Sequence, residues 1–230
     1  MKASTGLLHN LLPLAAEQAF VGSQQISLSS EAQICAVTSG FVDIFLRVAG
    51  PQAIGNKTHC TRLSEGQIFV SLPLKNLDPH ISWFAQGSQN TRLIQISREN
   101  LSTPQLQQTW PKLRKAIENW LCNAWRPLAT VRWPEHTQEL ETNHSEQFTS
   151  GTILGIHKGV RWLEVVSGRL SLLGQSTLAT SALAIPIPSP LWLRVAQNVQ
   201  LRVHTNVEED AFWRGLETCY ALFLQLAMKH

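Results

Sequence analysis

Short stretches in which apolar and polar residues alternate make up most of this chain. In the first half they lie at residues 25–28, 31–37, 41–48, 58–63, 67–72, 81–85 and 92–96. In the second half they lie at residues 151–156, 161–166, 170–173, 181–186, 191–195 and 199–203. Such short alternating stretches, separated by glycine-containing turns, predict the strands of a barrel or jelly roll rather than βαβ units.

Helical periodicity is confined to three segments, residues 4–20, 104–126 and 208–228. The second segment follows Ser102-Thr103-Pro104, where a hydroxyl can cap the first turn and proline is tolerated. One apolar stripe runs along each of the last two segments: Leu113, Ile117, Trp120 and Leu121, then Phe212, Leu216, Cys219 and Tyr220. We therefore predict that Trp120 and Trp213 are buried between each helix and the strands that precede it.

The two halves of the chain resemble each other. AVTSGFVDIF at residues 36–45 corresponds to EVVSGRLSLL at residues 164–173, and a Trp-bearing strand pair and an amphipathic helix follow in each half. A unit that occurs twice is typical of a duplicated domain. We predict two β-rolls of jelly-roll type, each capped by a C-terminal helix: a first domain at 1–126, a linker at 127–148 and a shorter second domain at 149–230. The alternative is a single, larger and irregular β-sandwich.

Charge and cysteine usage exclude several classes of protein. The 19 Lys and Arg residues are scattered against 16 Asp and Glu, which disfavours a nucleic-acid platform. Lys112, Arg114 and Lys115 form the densest basic group, which is interpreted as the solvated face of a helix. The four cysteines are far apart and predict neither disulfides nor a zinc site, so a cytoplasmic protein is expected. No apolar run reaches the roughly 18–20 residues that cross a bilayer.

Catalytic chemistry is not apparent in the sequence. His136 and His144 lie among several glutamates in the predicted linker, but the chain has no H-x-H pair of the kind a jelly-roll metal site uses, so both are interpreted as exposed. A G-x-S-x-G elbow and a Walker-type phosphate loop are also missing from the sequence. We therefore predict a protein that is not an enzyme and that uses no cofactor and no metal.

The segment LSEGQIFVSLPLKNLDPHIS, residues 63–82, is the strongest candidate for a ligand site. It resembles the phosphate-binding cassette of cyclic-nucleotide-binding domains, in which F-G-E is followed by a P-R-A-A segment. Phe69 and Pro79 match the pattern, but Ser71 replaces its glutamate and His80 its arginine. The resemblance implies a degenerate ligand site formed by Gly66, Gln67, Phe69, Ser71 and His80. An imidazole cannot grip a phosphate as a guanidinium does, so cyclic nucleotides are not expected to bind.

Along residues 35–228, the order HCTRLSEGQIF, TRLIQI, ENWL, GVRWLEVVSG, PLWL and FWRGLE is similar to a more specific family. It resembles the cyclic-nucleotide-binding-like N-terminal region of ATP-binding proteins that export bacteriocins with nitrile-hydratase-type leaders. The resemblance implies tandem cyclic-nucleotide-binding-domain-like β-rolls. Their implied function is a non-catalytic, cytoplasmic regulatory or docking module, whose partner is the transporter's membrane and ATPase region or the leader peptide. The alternative is a small-molecule effector-binding regulator with altered specificity, and a jelly-roll enzyme is less favoured. A homodimer is a further candidate assembly.

Overall fold

The computed structural model describes residues 5–19, 24–48, 56–74, 80–102, 107–126, 133–141 and 145–227. The chain divides into two compact units, Met1–Ala124 and Trp125–His230. Across the described ranges the structure is mainly β, with three α-helices. No helix within those ranges has the length and apolar character needed to cross a bilayer.

The described part of the first unit contains eight strands in two four-stranded sheets. The strands are β1 Ala16–Ala19, β2 Gln25–Ser27, β3 Gln33–Ser39, β4 Phe41–Val48, β5 Asn56–Ser64, β6 Ile68–Ser71, β7 Ile81–Gly87 and β8 Arg92–Ser97. One sheet has the order β1-β8-β3-β6 and the other β2-β7-β4-β5, and all neighbouring strands are antiparallel. Eight antiparallel strands in two such sheets form a jelly roll.

The start of the chain differs from the helix predicted over residues 4–20. Helix α1 spans only Thr5–Leu11, a 3-10 turn follows at Leu12–Leu14, and the chain then enters β1, which pairs with β8. Pro13 explains the difference, because proline has no amide hydrogen for a helical bond and its ring clashes with the preceding turn. The leucine spacing of this segment therefore describes a single short helix.

Helix α2 of the first unit spans Trp110–Ala124. Its buried residues include the predicted stripe Leu113, Ile117, Trp120 and Leu121, and it packs on β5 and β6. The ring of Trp120 is stacked on that of Trp83, with the centroids 6.0 Å apart, and lies 6.3 Å from Phe69. Trp120 thus joins the helix to one strand of each sheet, as the sequence predicts. The predicted cap at Thr103 and Pro104 lies outside the described residues.

Seven strands and one helix lie in the residues of the second unit that the structure describes. They are β9 Gln138–Glu139, β10 Ser145–Phe148, β11 Ile153–Gly155, β12 Val160–Leu172, β13 Ser176–Ala179, β14 Ile185–Pro188, β15 Trp192–His204 and helix α3 Glu209–Ala227. Two of these strands, β12 and β15, have 13 residues each and pair along most of their length, with register shifts between Val165 and Leu170. The bulges bend both strands, so that each contributes to two layers.

Pairing in the second unit repeats the order found in the first. The initial part of β12 lies between β14 and the final part of β15, which also pairs with β10. The final part of β12 lies between β13 and the initial part of β15, which also pairs with β11. We count each half of β12 and β15 as a separate strand and renumber the strands from 1 to 8 in chain order, beginning with β10. The two strand orders are then 1-8-3-6 and 2-7-4-5, as in the first unit. The short β9 adds a parallel pairing to β11.

The predicted linker at residues 127–148 is corrected in its second half, because β9 and β10 pair within the second unit. Leu140 and Phe148 are buried there, while the residues between them are polar. A strand that is covered on only one face needs few apolar side chains, so its sequence resembles that of a polar linker. His136 is exposed in a turn and His144 lies outside the described residues.

The paired Ser-Gly segments each place a glycine where no side chain fits. Gly40 has φ +77°, and a Cβ there would lie 2.9 Å from Thr91 Oγ1. Gly168 has φ +85°, and a Cβ there would lie 2.0 Å from the Asn198 carbonyl oxygen. In the first unit the glycine between β3 and β4 therefore packs against the chain between β7 and β8. In the second unit the glycine within β12 packs against the middle of β15.

Candidate functional site

A groove of about 620 Å³ opens in the first unit between the β5–β6 turn and helix α2. Its volume lies in the range of roughly 300–1,000 Å³ that is typical of small-molecule sites. The residues that line it are Leu7, Leu63, Gly66, Gln67, Ile68, Pro111, Lys112, Lys115, Ala116, Asn119, Trp120, Cys122 and Asn123. One wall is therefore a turn of the roll and the other is the helix that packs on it.

The turn wall is held by backbone and side-chain hydrogen bonds. Gly66 has φ +84°, and its amide donates to the Val37 carbonyl over 2.9 Å. The Gln67 side-chain oxygen accepts from the Ser64 amide at 2.7 Å and from the Ser64 hydroxyl at 3.1 Å. These two bonds hold the Gln67 side chain in place where it lines the groove. The turn is a fixed wall.

The helix wall combines an apolar stripe with a polar one. Trp120 and Ala116 continue the apolar surface of Leu63 and Ile68 across the floor, and Leu7 of α1 closes one side. The Asn10 Nδ2 group donates to Thr109 Oγ1 over 3.3 Å and ties α1 to the start of α2. These contacts give the groove a floor that favours a hydrocarbon or aromatic group.

Two lysines give the groove its charge. Lys112 and Lys115 are both exposed and lie one turn apart on α2, so their side chains are neighbours. Lys115 Nζ is 3.6 Å from Glu118 Oε2, and that carboxylate also receives a hydrogen bond from Arg114. Since no Asp or Glu is among the lining residues, the groove is positively charged at this end. In the sequence the two lysines look like part of an ordinary solvated helix face, because nothing near them shows that a turn of the roll lies opposite.

The five residues predicted as a degenerate ligand site are not brought together. Gly66 and Gln67 line the groove, whereas Phe69 is fully buried against Trp120. Ser71 is 2% exposed, and its hydroxyl donates to the Ser27 carbonyl over 3.4 Å. His80 is exposed at the start of β7 and is absent from the groove lining. Phe69 and Ser71 face the interior because β6 is covered on both sides.

The thiols differ in their surroundings. Burial raises the pKa of Cys35 to about 12 although a hydrogen bond with Gln95 acts in the opposite direction. Burial likewise raises the pKa of Cys60 to about 12, against a backbone hydrogen bond from Leu46. Cys122 is half-buried and lies in the helix wall of the groove. Within the described ranges, no three His, Cys, Asp or Glu side chains are grouped so that they could hold a metal ion.

Comparison with known proteins finds likenesses among solved structures. No family model and no curated protein matches the chain. The heme domain of CooA from Carboxydothermus hydrogenoformans matches 55% of this chain and 90% of its own, at 18% identity and a TM-score of 0.42. The catabolite activator protein of Thermus thermophilus matches 54% of this chain and 56% of its own, at 19% identity and a TM-score of 0.39. The cAMP-bound PfPKA-R matches 98% of this chain and 84% of its own, at 12% identity and a TM-score of 0.33. At these scores the likenesses carry nothing about ligand or partner.

Proposed function

We propose that the chain is a non-enzymatic regulatory module built from two copies of one β-roll, and that the first copy binds an amphipathic anion. The observation that carries the proposal is the groove beside α2, which joins an apolar floor to two lysines and has no acidic side chain in its lining. A ligand with an apolar body and a carboxylate or phosphate matches both parts. In a mainly apolar pocket a small number of polar groups is enough to fix the orientation of the ligand.

The two-copy arrangement is supported by three features that recur. The strand order is the same in both units once β12 and β15 are divided at their bends. The glycines of the Ser-Gly segments, Gly40 and Gly168, both have a positive φ, and at both a Cβ would meet another atom at less than 3.0 Å. The helix of each unit packs on its fifth and sixth strand positions, α2 on β5 and β6 and α3 on β13 and β14. In the second unit Gly215 allows α3 to approach closely, because a Cβ there would lie 2.4 Å from the Ala184 carbonyl oxygen and 2.8 Å from the Trp162 ring.

A ligand in the groove would touch both the fixed turn and the helix, which suits a regulatory role. The helix is held by an apolar stripe, and its neighbouring polar stripe faces the groove. An effector shifts a conformational equilibrium only as far as it binds one state better than the other. A ligand that bridges Gln67 and Lys112 meets this requirement, because it favours the state in which turn and helix are adjacent.

Cyclic nucleotides are poor candidates for this groove. The serine at the position of the cassette's glutamate is buried and bonded to the Ser27 carbonyl, and the histidine at the position of its arginine is exposed elsewhere. The two lost contacts to charged groups are worth roughly 1.5–3 kcal/mol each, or about three orders of magnitude in affinity together. We expect calorimetry to detect no binding of cyclic AMP or cyclic GMP at low-micromolar concentration.

Docking of an exported leader peptide stays a prediction drawn from the family resemblance. One observation favours it as the second candidate. The groove follows α2 from Pro111 to Asn123, which is about 18 Å of helix axis and enough for three turns of a bound helix. A leader peptide would have to place acidic residues beside Lys112 and Lys115, whereas a small molecule needs only one anionic group there.

The test uses decanoate and decyl phosphate below their micelle concentrations, with decanol and decyltrimethylammonium as uncharged and cationic counterparts. We expect the two anions to raise the melting temperature and to bind in calorimetry, and the cation to do neither. The variant K112E/K115E should lose about ten- to a hundredfold in affinity for the anions. The matched control is K158E, a charge reversal of an exposed lysine in the second unit. Equal binding of all four compounds, or equal loss in the control, would refute the proposal.

A further inference from the structure

The outward face of the sheet β2-β7-β4-β5 carries a cluster of rings and cations, distant in sequence from the groove lysines. We call it the basic sheet face; it consists of Phe45 and Phe84 with Arg47, Lys57, His59 and Arg62. The two phenyl rings are stacked with centroids 5.7 Å apart. Lys57 Nζ lies 3.5 Å above the Phe45 ring, and Arg47 Cζ lies 5.0 Å from the Phe84 ring. The rings hold the cations in fixed positions over the sheet.

The positive charge of the basic sheet face is only partly neutralised. Asp43 accepts two hydrogen bonds from Arg62, at 2.9 and 2.8 Å, and lies 2.8 Å from His59 Nε2. Burial acts to raise the pKa of Asp43, but the hydrogen bonds from Arg62 and His59 outweigh it and hold that pKa below its usual value. Among the outward-facing residues of these strands Asp43 is the one acid. Three permanent cations against one carboxylate leave two positive charges, on Arg47 and Lys57.

The same residues border an open sheet edge. Strand β5, Asn56–Ser64, is the last in its sheet, and no described strand pairs with its outer side. Its outward side chains are Lys57, His59 and Arg62, with a bulge where Cys60 has no partner on β4. An open edge offers unpaired amides and carbonyls at every second residue, which an extended peptide can use to add a strand.

From this juxtaposition we infer a docking surface for an extended, acidic peptide segment of a partner protein, which adds to β5 and places carboxylates against the basic sheet face. Side chains on one face of an extended peptide recur about every 6.8 Å, so alternate acidic residues meet Lys57 and His59 in turn. Arg47 lies on β4 directly opposite Lys57, and its guanidinium over the Phe84 ring adds a second positive charge to the face that these carboxylates approach. The excess of two cations supplies the charge complementarity.

A face of aromatic rings and cations can also bind a single-stranded nucleic acid, but the ring contacts observed in this protein disfavour that partner. Bases bind to aromatic side chains by stacking on an open ring face. The face of Phe45 is covered by Lys57, and Phe84 is only 4% exposed. By contrast, the side chains of His59 and Arg62 are 49% and 59% exposed. The surface therefore presents charge rather than stacking faces.

Fluorescence anisotropy of the full chain with three labelled probes tests the inference. The probes are the peptide (Glu-Thr)5, its counterpart (Lys-Thr)5 and the oligonucleotide dT15. We expect (Glu-Thr)5 to bind, with affinity that falls as salt is added, and (Lys-Thr)5 not to bind. Two further (Glu-Thr)5 peptides are N-methylated at alternate backbone amides, one at the Glu amides and the other at the Thr amides. One of the two should lose at least tenfold in affinity, because only one of these sets of amides donates hydrogen bonds to β5. Tighter binding of dT15 than of (Glu-Thr)5 would overturn the inference.

Charge reversals at the basic sheet face, R47E/K57E, and in the groove, K112E/K115E, separate the two sites. R47E/K57E should weaken (Glu-Thr)5 binding at least tenfold, and R47Q/K57Q by a smaller factor, with circular dichroism to confirm that both fold. The matched control is K158E/R194E, the same charge change at exposed positions of the second unit. K112E/K115E should leave (Glu-Thr)5 binding unchanged while it lowers the affinity for decanoate by about ten- to a hundredfold. Loss of peptide binding in K158E/R194E, or retention in R47E/K57E, would overturn the inference without affecting the proposed groove.

Discussion

Replacing Trp120 by alanine should lower the free energy of unfolding of the first unit by about 3–5 kcal/mol. The indole is 2% exposed and touches Trp83 and Phe69, which lie on different sheets. A buried tryptophan removes roughly 150–250 Å² from water, worth about 4–6 kcal/mol at 25 cal/mol per Å². That figure is an upper bound because a denatured chain already buries part of its apolar surface. The stacked pair with Trp83 adds about 0.5–1.5 kcal/mol.

Urea denaturation measures this loss, with far-UV circular dichroism and near-UV ellipticity recorded together. The two units can unfold in separate transitions, so W120A should shift one transition and leave the other in place. Lys112→Ala is the control on the same helix, because an exposed side chain should change stability by less than about 0.5 kcal/mol. A double-mutant cycle with Trp83→Phe isolates the stacking contribution. A loss below about 1 kcal/mol for W120A would show that the ring is not part of the core.

Three further predictions follow from the backbone, a carboxylate and a thiol. Gly168→Ala should destabilise the second unit by several-fold more than Gly159→Ala in the same denaturation assay, because both have positive φ but only the first forces a Cβ to within 2.0 Å of the Asn198 oxygen. The lowered pKa of Asp43 means that its stabilising contribution is full above its unfolded value of about 3.9 and is lost as pH falls through the lower folded value; Asp43→Asn should therefore show a smaller acid-induced drop in melting temperature below about pH 4, and an identical acid titration would contradict this. Native-state alkylation followed by mass spectrometry should label Cys122 before Cys35 and Cys60, because burial raises the pKa of those two thiols to about 12. Bound decanoate should slow the labelling of Cys122. Labelling of Cys35 or Cys60 before Cys122 would contradict this prediction.

The strands of the first unit could be predicted closely from alternation. Residues 41–48 are β4 in full, because Val42, Ile44 and Leu46 face the core while the residues between them are half-exposed. The helix stripe around Trp120 was equally clear, since four apolar residues at helical spacing have one interpretation. In both segments the periodic signal is local, and the observed packing agrees with it.

Features set by contacts between distant segments could not be predicted in the same way. The continuity of β12 and β15 depends on bulges, which absorb the glycine that a sequence pattern reads as a turn. The groove needs the turn at Gly66 to lie beside Lys112, and nothing in either segment indicates the other. Scatter of basic residues along the chain likewise concealed the basic sheet face, because Arg47 and Lys57 become neighbours only when β4 pairs with β5.

The continuous strands of the second unit have a consequence for how it folds and opens. In the first unit, Gly40 separates β3 from β4, so each sheet has its own strands. In the second, β12 and β15 run through both layers and stay paired on either side of their bulges, so neither sheet can lose its pairing while the other keeps it in full. Both layers should therefore belong to one cooperative unit in native-state hydrogen exchange, with a common opening free energy. Pairing of β12 with β15 also closes both sheets in a single step, which gives the second unit a simpler folding nucleus than the first.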